Sequence, residues 1–69
     1  MGVVIPLRRR APTIVCDIAH NGRLIESRVV ASLYEIDHDR FAGLGGTITL
    51  TYTVDGVVRA IDEAVFPEE

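Results

Sequence analysis

From Thr47 to Ile61 the chain alternates polar and apolar positions in two runs, separated by Asp55-Gly56. In the first run threonine takes every second place, and Ile48, Leu50, Tyr52 and Val54 take the others. This is the period-2 signature of a half-buried strand. Asp-Gly between two such runs predicts a tight hairpin, because a type I′ turn needs positive φ at both central residues. Counting outward from the turn pairs Val54 with Val57, Tyr52 with Arg59, Leu50 with Ile61 and Ile48 with Glu63. The expected core face is therefore Ile48, Leu50, Tyr52, Val54, Val57 and Ile61, with the threonine row toward solvent. A slip of one residue would bury the threonine hydroxyls and expose the apolar set, so the pattern specifies the register. Tyr52 opposite Arg59 is an expected exposed cation–π pair.

A second hairpin is expected over Thr13–Ala31, turning at Asn21-Gly22. Outward pairing places Ile18 opposite Ile25, Cys16 opposite Ser27 and Ile14 opposite Val29, and these make the apolar face. The other face mixes Val15, Ala19, Leu24 and Val30 with Asp17, Glu26 and Arg28. Asp17 falls opposite Glu26, a like-charge pair that needs a nearby cation such as Arg28 or an arginine of the Arg8–Arg10 run. The two hairpins share a design, but their residues do not align well enough to be called a sequence repeat.

Between the hairpins, Ser32-Leu33-Tyr34-Glu35 has the form of a capping box. Leu33, Ile36, Arg40, Phe41 and Leu44 follow at near-helical spacing, and Gly43 suits a left-handed C-terminal cap. The spacing predicts a short helix of about three turns, held by packing on the sheet. The competing expectation runs the second strand on to Ile36 and leaves 37–46 as loop. The fold class expected is α+β: two antiparallel hairpins in one small sheet with a short helix between them. A small all-β barrel is the alternative.

With 69 residues, the chain is expected to be a single small domain over 1–69. A flexible N-terminal arm over 1–11 and a solvated tail over 67–69 are expected. Domains of this size bury only about 60% of the surface their unfolded chain exposes, so a partner subunit is a natural source of stability. A single cysteine excludes an internal disulfide. All seven basic residues are arginine, and the net charge is −3. That balance disfavours a general nucleic-acid or anionic-membrane binder, although Arg8, Arg9 and Arg10 form a compact candidate anion contact. No apolar run approaches a membrane span, and charge follows the apolar start where a signal peptide has it first. A lone thiol with no export signal fits a reducing cytoplasm, which is the expected location.

Candidate chemistry is thin. Cys16 and His20 share a strand face but stand about 13 Å apart, too far to share a metal. Asp37-His38-Asp39 is a dense triple, but neighbouring residues on a helix point apart, and no second cluster completes a site. Gly43-Leu44-Gly45-Gly46 lacks the lysine and hydroxyl of a phosphate loop. No catalytic, metal or cofactor residue is assigned, and the chain is read as a non-enzyme.

Apolar residues on both faces of the first hairpin carry the functional expectation. Each of Val15, Leu24 and Val30 is worth about 1.5–3 kcal/mol when fully buried. The expected function is a small interaction module acting through homo-oligomerisation or a protein partner, with these three as the candidate interface of a homodimer. Two alternatives are nucleic-acid binding through the Arg8–Arg10 run, and a small-molecule or metal site completed by a second subunit.

Overall fold

The computed structural model describes residues 12–68. The arm over 1–11, with Arg8, Arg9 and Arg10, lies outside the described residues. Strands β1 (Ile14–His20), β2 (Arg23–Val30), β3 (Gly46–Val54) and β4 (Val57–Phe66) form one antiparallel sheet in the order β2-β1-β3-β4. The expected hairpins are the outer pairs, and β1 and β3 join them at the centre. The sheet is open, so the barrel alternative does not describe it.

Both turns form where the dipeptides predict. Asn21 and Gly22 take φ of 52° and 85°, and Asp55 and Gly56 take 50° and 86°. Asn, Asp and Gly are the residues that tolerate this region.

Beyond the turns the registers differ from simple outward counting. In the first hairpin Ala19 pairs with Leu24 but Ile18 pairs with Glu26, which leaves Ile25 as a bulge. In the second, Thr53 pairs with Val58 but Tyr52 pairs with Ala60, which leaves Arg59 as a bulge. An extra residue on one strand inverts the in–out parity of everything past it. Tyr52 therefore faces Ala60 and not Arg59, Leu50 faces Asp62, and Ile48 faces Ala64. The expected cation–π pair is absent from this register, and Ile61 leaves the core face. Asp17 pairs with Ser27, not Glu26, and Glu26 instead makes an ion pair with Arg28 at 3.2 Å.

The core lies on one face only. Cys16, Ile18, Ile48, Leu50 and Tyr52 are fully buried, with Val30, Ile36 and Ala60 joining them. The covering layer is the connection from β2 to β3. Its expected α-helix from Ser32 is replaced by a 3-10 helix over His38–Leu44, so the helical part of the α+β expectation is small. Glu35 accepts from the amide of Ala31 (2.8 Å) rather than closing a box on Ser32, and Tyr34 sits at φ 61°. The helix is capped by Asp37, whose side chain accepts from the Asp39 amide (2.9 Å), and it ends at Gly45 rather than Gly43.

What fixes this connection is the Tyr52 hydroxyl. It donates to the carbonyl of Ile36 (3.2 Å) and accepts from the Ile36 amide (3.1 Å). A residue whose two backbone groups are bound to the sheet has neither left for a helix. The same contact draws the Ile36 side chain into the core and sets Tyr34 against Tyr52 at 5.5 Å.

Candidate functional site

With the connection laid over one face, the opposite face of the sheet stays open. The strand pairings define its rows from β2 across to β4. Val29, Val15, Thr53 and Val58 form one row, and Ser27, Asp17, Thr51 and Ile61 the next. Leu24, Ala19, Thr49 and Glu63 form the third, and Thr47 with Val65 extend it. The centre of the face is half-buried hydroxyl and carboxylate. Its flanks are apolar and exposed: Val29 and Val65 are each 74% accessible, Leu24 60%, Ile61 59% and Val58 52%.

Isolated exposed apolar residues are ordinary, whereas here five share one face, in two flanks separated by a polar centre. The two carboxylates here are held by hydroxyls. Ser27 donates to Asp17 at 2.6 Å, and Thr49 donates to Glu63 at 3.4 Å. Among the described residues neither carboxylate forms an ion pair.

The structure divides the expected interface. Val15 and Leu24 share the open face, as anticipated. Val30 pairs with Ile14 on the covered face and is only 9% accessible, because the bulge at Ile25 reverses its parity relative to Leu24. Counting from the turns put Val29, Ile61 and Val65 on the other face, while it set Val58 beside Thr53 as the structure does. For β4 a signal was present: the straight register put Arg59 and Glu63 into an apolar row.

Three other places carry titratable groups. The Asp37–His38–Asp39 triple does not point apart as a helix would require. Around the Asp37 cap, one ligand atom from each residue comes within 4.8 Å of the others. His38 Nδ1 lies 2.8 Å from Asp62 Oδ2, and its Nε2 lies 3.5 Å from Asp39 Oδ1. Hydrogen bonding to Asp62 raises the His38 pKa, burial opposes it, and the charges of Asp62, Asp39 and Asp37 add to the rise. These three residues could each offer a ligand, but they sit at the surface, where acidic groups gather commonly without an ion.

Cys16 is fully buried, and burial raises its thiol pKa, so it stays protonated at neutral pH. It packs as a small apolar residue. His20 Nε2 lies 2.8 Å from the carbonyl of Gly45 and ties β1 to the end of the 3-10 helix. A shallow recess beside that end is lined by Ala42, Gly43, Leu44, Gly45, Pro67 and Glu68, and it brings no set of convergent polar side chains.

No helix of the described residues is long and apolar enough to cross a membrane. Comparison with protein-family models, with curated proteins and with solved structures gave no match.

Proposed function

We propose that the chain is a small non-enzymatic interaction module whose working surface is the open face of its sheet, and that its first partner is a second copy of itself. The observation that supports this is the exposure of Leu24, Val29, Ile61 and Val65 on one face, beside half-buried Val15. Each such side chain gains about 1.5–3 kcal/mol on full burial, which is large against the stability a domain of this size draws from one covered face. A two-fold dimer is the commonest arrangement that covers the same patch on both copies. The protein is read as working in the cytoplasm.

Nucleic-acid binding through Arg8, Arg9 and Arg10 is the weaker reading, since no aromatic residue stands in the rows of the open face to stack a base. A small-molecule or metal site would have to form at the dimer contact.

Sedimentation of the full chain at micromolar concentration tests the proposal. The expected species has about twice the 7.6 kDa chain mass, and Leu24→Asp shifts it to monomer while leaving the fold intact. A monomer at every concentration, with Leu24→Asp indistinguishable from the parent, would overturn it.

A further inference from the structure

The open face is large enough to close a dimer, and its layout selects how the two copies meet. Leu24, Val29, Val58, Ile61 and Val65 are each half to three-quarters accessible. At on the order of 100 Å² of apolar area per aliphatic side chain, they offer about 300 Å² per copy. Apolar atoms make up about 60% of a typical interface. Over two copies the five therefore correspond to roughly 1,000 Å² of contact, the size a specific interface needs.

These five residues all lie on the outer strands β2 and β4, with the hydroxyls and Asp17 on β1 and β3 between them. Sheets that stack face to face commonly keep their strands roughly aligned. Two such orientations lay apolar flank on apolar flank. With the two-fold axis across the strands, β2 covers the partner's β2 and β4 the partner's β4. With the axis along the strands, β2 covers the partner's β4.

The pair at the centre separates the two. Asp17 and Thr51 face one another across β1 and β3, in the middle of the open face. An axis across the strands sets Asp17 on the partner's Asp17, two like charges in a contact that excludes water. An axis along the strands sets Asp17 on the partner's Thr51, and by symmetry does so twice. Asp17 accepts from Ser27 (2.6 Å), and a carboxylate has further lone pairs to offer. Thr49 donates to Glu63 and Thr53 to the Val15 carbonyl, but the Thr51 hydroxyl meets no acceptor among the described residues. Stacked sheets lie about 10 Å apart, so an aspartate and a threonine reach each other directly or through one water. Glu63 stands on the outermost strand and keeps its carboxylate in the wet rim.

We infer that two copies stack with β2 of each over β4 of the other, and that Asp17 of each accepts from the partner's Thr51 hydroxyl. This deepens the dimer proposed above and rests on it. Apolar area supplies the contact, and Asp17 with Thr51 chooses one orientation of two. A foreign protein fits the same surface only if it brings a donor to Asp17 and an acceptor to Thr51 between two apolar flanks, which a second copy does by symmetry.

The test mixes isotope-labelled and unlabelled full chain and records isotope-filtered NOEs. Methyl contacts from Leu24 or Val29 of one copy to Val58 or Ile61 of the other are the expected result. Within one chain β2 and β4 are two strands apart, about 14 Å, so such contacts arise only between copies. Thr51→Val removes the donor but keeps the shape and the strand preference, and should weaken dimerisation about tenfold or more. Thr51→Ser keeps the hydroxyl and should restore most of the affinity. Contacts between Leu24 and the partner's Val29, or a Thr51→Val dimer as tight as the parent, overturn the orientation and leave the dimer standing. A dimer whose contacts between copies avoid the open face, or no dimer at all, sinks both.

Discussion

Asn21 and Asp55 make the same pair of hydrogen bonds at opposite ends of the sheet. The side chain of Asn21 accepts from the Thr47 amide (2.9 Å) while its own amide donates to the Thr47 carbonyl (2.8 Å). The side chain of Asp55 accepts from the Thr13 amide (3.1 Å) while its amide donates to the Thr13 carbonyl (3.0 Å). One sequence offset carries Thr13 to Thr47, Asn21 to Asp55, and the bulge at Ile25 to that at Arg59. Asp17 and Thr51 are related by the same offset and also face one another across β1 and β3, so a local two-fold passes between them. The structure thus has an internal repeat that residue identity does not display.

That symmetry makes the two turns equivalent under mutation. Gly22 and Gly56 sit at φ near 85°, and a Cβ added to either would meet nothing within 4 Å. The cost of Gly22→Val or Gly56→Val is therefore conformational rather than steric, about 1–2 kcal/mol in each case. Urea unfolding should show similar losses for the two, and Gly56→Val unchanged from the parent would exclude the turn geometry.

Tyr52→Phe is expected to be the most damaging one-atom change. It leaves the buried amide and carbonyl of Ile36 without their partner, and each orphaned group costs about 1–3 kcal/mol. Hydrogen exchange should report the loss first in residues 31–45, ahead of β1 and β3. Uniform acceleration across the whole sheet would contradict the view that this hydroxyl holds the connection down.

The helix cap can be located by alanine. Asp37→Ala should cost about 1 kcal/mol, and Ser32→Ala almost nothing, because Asp37 and not Ser32 accepts from the helix amide. The reverse order in thermal melts would restore the capping box at Ser32.

The His38 pKa is raised in the fold, above its ordinary value of 6.5, through Asp62 first and then Asp39 and Asp37. A raised folded value means the protonated form binds its neighbours more strongly in the native state. This contribution is complete below pH 6.5 and is lost as pH rises through the folded value. Stability measured from about pH 5 to about pH 9 should show that decline, and His38→Gln should remove it. An equal slope in both proteins would assign the pH dependence elsewhere.

How far the sequence could be read depended on how local each determinant is. The alternation in Thr47–Val54 and the dipeptides Asn21-Gly22 and Asp55-Gly56 act within a few residues, and they revealed the hairpins, the turns and the core set Ile48, Leu50 and Tyr52. The bulges answer to tertiary fit. Small Ala60 sits opposite buried Tyr52 on the covered face, where straight counting would have placed Arg59. The 3-10 helix escaped notice for a similar reason. Ser32 and Glu35 have the right spacing for a cap, but the Tyr52 hydroxyl, sixteen residues from Ile36 in sequence, takes the backbone groups a helix there would use. Two of the three candidate interface residues kept their face: Val15 lies on β1, which has no bulge, and Leu24 pairs before the bulge, whereas Val30 lies beyond it.

The bulges at Ile25 and Arg59 fall on β2 and β4, the two outermost strands. An outer strand with regular, unpaired amides and carbonyls is a template on which another strand can grow, and repeated growth of that kind builds fibres. An extra residue on each rim breaks the regular spacing a newcomer must match and twists the rim away from it. Sideways extension of the sheet is thereby disfavoured at both rims at once.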